Sequence, residues 1–150
     1  VYTIHHEANG LVAAGLVGLA RAAYEHAHDY AHQRRQGGAP LIRHQQVAAR
    51  LFHMYRKLEA ARALARRVVE FNMTAEMPSL SAAMAAKAGC TQAAYEIASD
   101  ALQMFGGNGM TREYPLEKLF RDARAGLIED GCNEMLAIKG GYGLADPALL

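Results

Sequence analysis

Apolar residues along this chain recur at spacings of three and four, the period of one helix face, and nowhere alternate over a sustained stretch. From about Ala8 to Arg34 the chain is rich in Ala and Leu, with charge confined to the later turns, and a first long helix is predicted there. A second is predicted over roughly Ile42–Met73. Its apolar face carries Val47, Leu51, Met54, Leu58, Ala61, Leu64, Ala65 and Val68. Arg50, Arg56, Lys57, Arg62, Arg66 and Arg67 mark the opposite face, either solvated or a subunit contact. A third helix starts after Pro78-Ser79, where Ser79 or Ser81 can cap its free amides, and runs to about Met104. Gly106-Gly107-Asn108-Gly109 breaks it, because that run favours turns and left-handed backbone. A short helix is predicted after Pro115, near Leu116–Arg121. A last one runs from about Glu134 to Lys139 and is stopped by Gly140-Gly141. No window reads as sheet. Three long helices and a shorter fourth, joined by short loops, define an all-α antiparallel four-helix bundle.

Composition narrows the class. A chain of 150 residues is one domain with a single sizeable core. Its 16 basic and 15 acidic residues leave a net charge of +1, which argues against a nucleic-acid or membrane-surface binder. The apolar stretch Leu11–Ala20 holds Gly15 and Gly18 and ends at Arg21, short of the roughly 20 residues that cross a bilayer. No basic-then-apolar leader is present, and the chain opens at Val1 directly into a helical pattern, as expected of a piece of something longer. Cys90 and Cys132 show no disulfide-framework spacing and read as reduced thiols, which points to the cytoplasm.

The chemistry concentrates in Gln103–Glu134. A Gly-Gly-x-Gly loop at a helix end leaves backbone groups open to a ligand's polar atoms, although helix caps use the same residues. It follows a helix, so it is neither a Walker loop nor a dinucleotide fingerprint. Asp130, before Gly131, reads on its own as a turn residue or a helix cap. Arg34 reads as solvated, Gln103 as a helix-end surface residue, and Cys132 as a small buried hydrophobe with no redox role. Glu25-x-x-His28 matches half of a di-iron motif whose second half is missing, and His28 and His32 share a face. With Asp29 and Arg34 beside them they read as surface, and no metal is expected. The triplet His5-His6-Glu7 reads as a loop end.

The segment QMFGGNGMTREYPLEKLFRDAR resembles the signature of the acyl-CoA dehydrogenase family. LVAAGLVGLARAAYEHAHDYAHQR is similar to the first helix of that family's C-terminal domain, RHQQVAARLFHM to the following segment, and LIEDGCNEML to the strip ending in the catalytic region. The resemblance spans essentially the whole chain. It implies a C-terminal helical bundle whose N-terminal helical and middle β domains are absent from this chain. It also implies an FAD-dependent oxidoreductase acting on acyl-CoA, an electron-transferring flavoprotein as acceptor, and a homo-oligomer, dimer or tetramer. Arg34, Arg35 and Gln36 would lie at the FAD phosphates of a neighbouring subunit, with His44 and Gln45 near them. Gln103 and the backbone of Met104, Phe105, Gly106 and Gly107 would hold its adenosine part. Cys132, Asn133 and Glu134 would face the flavin of the chain's own cofactor, and Gly131 would let the backbone pass close to the substrate thioester.

In the most common family form the base that removes the α-proton is a Glu directly before Gly-Thr. The aligned residue is Asp130, in Glu129-Asp130-Gly131-Cys132. A carboxylate in a dry pocket, its pKa raised by burial, suits that role. Asp is one methylene shorter than Glu, and a misplacement on the order of 1 Å costs about a hundredfold in rate. The alternative position for the base, on the first helix, holds Ala8 with Glu7 beside it. An arginine near Asn9 and an aromatic residue near Gly37 are missing. These departures leave a second expectation open, a family-like bundle without dehydrogenase activity, lyase-type or an oligomerisation scaffold.

Overall fold

The computed structural model describes the backbone from Tyr2 to Asp146 and the side chains from Glu7 to Asp146. Five α-helices run in chain order: α1 Tyr2–Gln33, α2 Gln45–Thr74, α3 Leu80–Phe105, α4 Leu116–Gly126 and α5 Asn133–Ala145. The three long helices pack side by side, each against the other two, and α4 and α5 both pack on α3. The all-α reading holds. The two short helices expected after Pro115 and from about Glu134 both form and are longer than expected.

Small residues bring the helices close. The buried line of α1 is Ala13, Leu16, Ala20, Ala23, Ala27 and Ala31, and that of α3 includes Ala83, Ala86, Cys90, Ala94, Ala98 and Ala101. Alanine at helical spacing lets two backbones approach to the short end of the usual interaxial range of roughly 8–10 Å. From α2, Leu51, Met54, Leu58, Ala61, Ala65 and Val68 fill the remaining space, which is the face the sequence predicts. Its polar face is less uniformly solvated than expected. Arg50 reaches Asp100 of α3 at 2.5 Å and Lys57 reaches Glu96 at 2.8 Å, so two of its cations tie α2 to α3.

Local chemistry sets the ends. Ser79 caps α3 by accepting from the Ala82 amide at 3.2 Å, while the Asn72 side chain accepts from the Ser79 amide at 2.9 Å. Gly106 (φ 57°) ends the helix, and Gly106–Met110 tightens into a 3-10 turn. Elsewhere the boundaries shift. Helix α1 extends back to Tyr2, so His5-His6-Glu7 is helical and not a loop end. Helix α5 runs through Gly140-Gly141 to Ala145, because packing of that segment against α3 overrides the weak helical preference of glycine. A minimal sheet also exists. β1 Arg35–Gln36 and β2 Ala39–Pro40 pair antiparallel across Gly37 (φ 58°) and Gly38 (φ 82°), two positive-φ residues that make a tight hairpin turn. Two-residue strands lie below what an alternation pattern can reveal.

Among the described residues no helix is long and apolar enough to cross a membrane. The two cysteines differ in environment. Cys90 is fully buried, its thiol donates to the Ala61 carbonyl at 3.3 Å, and burial raises its pKa from 9.0 to about 11. Cys132 is half-buried at the start of α5. Iodoacetamide at pH 8 is expected to label Cys132 and to spare Cys90 until the chain is denatured, read by peptide mass spectrometry. The unfolded thiol ionises near its ordinary pKa while the folded one stays protonated. Stability therefore falls between about pH 9 and 11, by at most about 1.4 kcal/mol per pH unit.

Candidate functional site

The C-terminal ends of α1 and α3 meet at one end of the bundle and enclose an open cleft of about 310 Å³. Arg34 and Gln36 line it from the end of α1 and the hairpin, and Gln103, Met104, Phe105, Gly106 and Gly107 line it from the end of α3. These seven belong to the set that the resemblance singles out. Tyr30, Leu41 and Asn108 complete the lining. Tyr30 stacks on Phe105 at 3.9 Å between ring centroids and accepts a hydrogen bond from the Asn108 amide at 3.0 Å; Tyr114 meets Phe105 edge-on at 5.1 Å. This aromatic floor lay outside the sequence reading, since its members are far apart in the chain.

Three further candidates stand beside the cleft. The Arg35 guanidinium donates to the Gly38 carbonyl at 3.2 Å, and the His44 Nε2–H donates to the Gln36 carbonyl at 2.9 Å, so both brace the hairpin. Gln45 is exposed at the first turn of α2. The exposed guanidinium of Arg34 is left facing the cleft, and no heavy atom lies within 4 Å of where a Cβ on Gly106 or Gly107 would stand. Two helix C-termini carry partial negative charge, so an anionic ligand needs a cation there. Open carbonyls suit the amino and hydroxyl donors of a nucleoside, and a guanidinium suits phosphate oxygens. The residues present fit a nucleotide with its phosphates toward Arg34.

The second group of candidates lies elsewhere, where the α4–α5 loop crosses α3. Lys87 on α3 contacts this loop, and Lys87 and Gln103 are separated by about 24 Å along the helix axis. The loop carries the positive-φ pair Asp130 (φ 49°) and Gly131 (φ 93°). It is closed by the Asn133 amide donating to the Leu127 carbonyl at 3.0 Å. The φ of Gly131 favours glycine, and a Cβ there would stand 3.1 Å from Leu136 Cδ2, which would have to shift by a few tenths of an ångström to make room. Asp130 and Glu134 are exposed, and Cys132 and Asn133 are half-buried. The dry pocket expected around Asp130 is not formed by the described residues.

Lys87 holds this loop, and sequence reasoning passed over it. Its side chain is fully buried, and its ammonium donates to the Gly131 carbonyl at 2.8 Å and to Asn133 Oδ1 at 3.1 Å. Burial pulls its pKa down; the charges of Glu129 and Asp130 pull it back up. Its signal was present, since it is the one basic residue of α3, set among that helix's apolar positions. Glu7, the alternative base, is exposed and lines a different groove of about 470 Å³ between α1 and α2, with Leu11, Val68 and Met73; Asp130 does not line it. His32, considered as a ligand, has its Nδ1–H donated to the His28 carbonyl at 2.9 Å.

Residues 2–142 match the family description "Acyl-CoA dehydrogenase, C-terminal domain". An acyl-CoA dehydrogenase of Bacillus subtilis (strain 168) is 40% identical over 83% of this chain and 32% of its own length. A 3-sulfinopropanoyl-CoA desulfinase of Paraburkholderia xenovorans is 38% identical over 80% of this chain and 30% of its own. Among solved structures, the butyryl-CoA dehydrogenase of Megasphaera elsdenii superposes with a TM-score of 0.92 and 31% identity, covering 96% of this chain and 38% of that one. The chain thus belongs to the acyl-CoA dehydrogenase family, as its C-terminal helical domain. It spans about a third of the length of the curated relatives it matches.

Proposed function

We propose that this chain is the C-terminal domain of a flavin-dependent acyl-CoA dehydrogenase that places an α,β-double bond in an acyl-CoA thioester. The N-terminal helical and middle β domains of the complete protein would supply the rest of the site. The observation that carries this reading is the cleft at the ends of α1 and α3, where seven candidate residues from separate segments converge, the exposed Arg34 among them.

In this reading Arg34 binds the phosphates of a neighbouring subunit's FAD, with Arg35 and His44 keeping the hairpin that carries Gln36 in place. Gln103 and the open backbone from Met104 to Gly107 take its adenosine part. The chain's own FAD, when bound, would supply the acceptor for the β-hydride of the substrate. The carboxylate of Asp130 takes up the α-proton, whose acidity rises as the neighbouring thioester carbonyl is polarised, and the C–H electrons become the new double bond. Gly131, lacking a Cβ, lets the chain pass beside the thioester, and Cys132, Asn133 and Glu134 line the flavin side. An electron-transferring flavoprotein would be the electron acceptor.

A homo-oligomer belongs to the same proposal. Phe52 and Tyr55 on α2, and Met135, Ile138 and Tyr142 on α5, are about half exposed, and a contact with a second copy would cover such side chains.

The complete protein is expected to be yellow, to bleach anaerobically with a saturated acyl-CoA, and to lose FAD on dilution after Arg34→Ala. Absorbance at 450 nm with a panel that includes butyryl-CoA reads all three. A colourless protein, or one whose flavin no acyl-CoA bleaches, favours a second reading without dehydrogenase activity. Three observations support it: Asp130 in place of Glu, the arginine missing near Asn9, and a relative named as a desulfinase.

A further inference from the structure

Among the described residues Lys87 is the largest fully buried side chain. An ammonium is almost never removed from water unless its protons find acceptors. Here the acceptors are neutral oxygens, the Gly131 carbonyl of the α4–α5 loop at 2.8 Å and Asn133 Oδ1 at the start of α5 at 3.1 Å. Asn133 is itself anchored to α3, donating to Thr91 Oγ1 at 3.0 Å and to the Ala88 carbonyl at 3.3 Å. Thr91 in turn donates to the Lys87 carbonyl at 2.9 Å. One turn of α3 therefore grips the loop through a closed set of hydrogen bonds.

What the grip holds is a strained turn. Asp130 carries a Cβ in the left-handed region, followed at once by a second positive φ at Gly131. Backbone of this kind persists only where the surroundings over-determine it. The Asp130 carboxylate is exposed, and no hydrogen bond to a described residue fixes it, so its direction comes from the backbone. One side of the turn is tied by the Asn133 amide to the Leu127 carbonyl; the other side is tied by Lys87. We infer that Lys87 is a positioning residue for the proposed base, its buried ammonium locking the Asp130–Gly131 turn in the conformation used for proton abstraction. The inference rests on the assignment of Asp130 above. An apolar side chain of equal length would fill the space and leave the Gly131 carbonyl without its partner.

The test uses the complete flavoprotein and the acyl-CoA that bleaches it fastest. Lys87→Met is expected to slow flavin reduction at saturating substrate at least about tenfold, with FAD content unchanged and the dissociation constant for acyl-CoA within about threefold, since a misplaced base loses rate rather than affinity. Hydrogen exchange at residues 128–133 should accelerate by a similar factor while α1 and α2 stay protected. In an Asp130→Asn background, Lys87→Met should change the residual rate by less than about twofold, because a residue acting through Asp130 has nothing left to act on. A further loss equal to that in the wild-type background would show a general structural role and overturn the inference. So would an unchanged rate in folded Lys87→Met. If Lys87→Met does not fold, Thr91→Val keeps the shape and removes one tie: a two- to fivefold loss (roughly) with faster exchange at 128–133 supports the inference, and no change in either overturns it. Should Asp130→Asn itself leave reduction intact, the base assignment and this inference fall together. Loss with Asp130→Asn but not with Lys87→Met sinks the inference alone.

Discussion

Asp130→Asn in the complete protein is expected to leave FAD bound and to slow flavin reduction by acyl-CoA by about 10²–10⁴, the range a positioned general base contributes. The substitution keeps the size of the side chain and removes only its basicity. Asn also tolerates the left-handed backbone at φ 49° better than most residues, so the turn itself should survive. Stopped-flow absorbance under anaerobic conditions measures the rate, and the oxidised flavin spectrum reports cofactor content. Asp130→Glu asks a sharper question. A pocket merely inherited from Glu-bearing relatives should accept Glu as well as Asp or better. A pocket reshaped around the shorter arm or a bulkier substrate should lose rate. Glu7→Gln is the control on α1. If it abolishes reduction while Asp130→Asn does not, the base sits on the first helix, beside the groove that Glu7 lines. If neither matters, the dehydrogenase reading gives way to the alternative without redox chemistry.

Gly109→Ala is expected to destabilise the domain by about 2–3 kcal/mol, about 5–10 °C in melting temperature for a chain of this size. A Cβ there would stand 2.7 Å from the Leu102 carbonyl oxygen and 3.1 Å from Phe105 Cβ. The first of these is backbone of α3 and cannot move aside without disturbing the helix end. The second belongs to the ring system on which Tyr30 and Tyr114 pack, so the strain reaches the floor of the cleft. Gly107→Ala forms the contrast. No heavy atom lies within 4 Å of its Cβ position and its φ is not positive, so the melting temperature should move by no more than about 2 °C. It would, however, place a methyl group in the lining of the cleft and should weaken FAD binding by the complete protein. Differential scanning calorimetry with and without added FAD separates the two outcomes. Equal melting temperatures for Gly109→Ala and wild type would remove the packing argument.

How much could be read in advance depended on the range of the forces involved. The buried face of α2, from Leu51 through Val68, follows from helical spacing within one segment and was legible in full. So was the Ser79 cap, a bond to an amide three residues on, and the break at Gly106, where a helix meets a backbone conformation that glycine enters most easily. The motif from Gln103 to Arg124 pointed to the family for the same reason, since its residues are adjacent and their order is itself the signal. Local patterns misled where distant packing outweighed local preference. Gly140-Gly141 looked like a stop, yet helix α5 continues to Ala145 because that segment is held against α3. The resemblance implied one cofactor for Arg34 and Gln103, but only the tertiary structure showed the cleft they share and stacked Tyr30 on Phe105. It alone turned Arg50 and Lys57 from surface charges into ties between helices. The clearest case is Lys87. As a residue type it belongs in water, and no spacing along the chain shows that a loop more than forty residues later supplies the carbonyl and amide oxygens that let an ammonium be buried. Helical periodicity is a property of neighbours and is written in the chain. The pairing of a buried charge depends on which backbone atoms arrive beside it, and packing decides that.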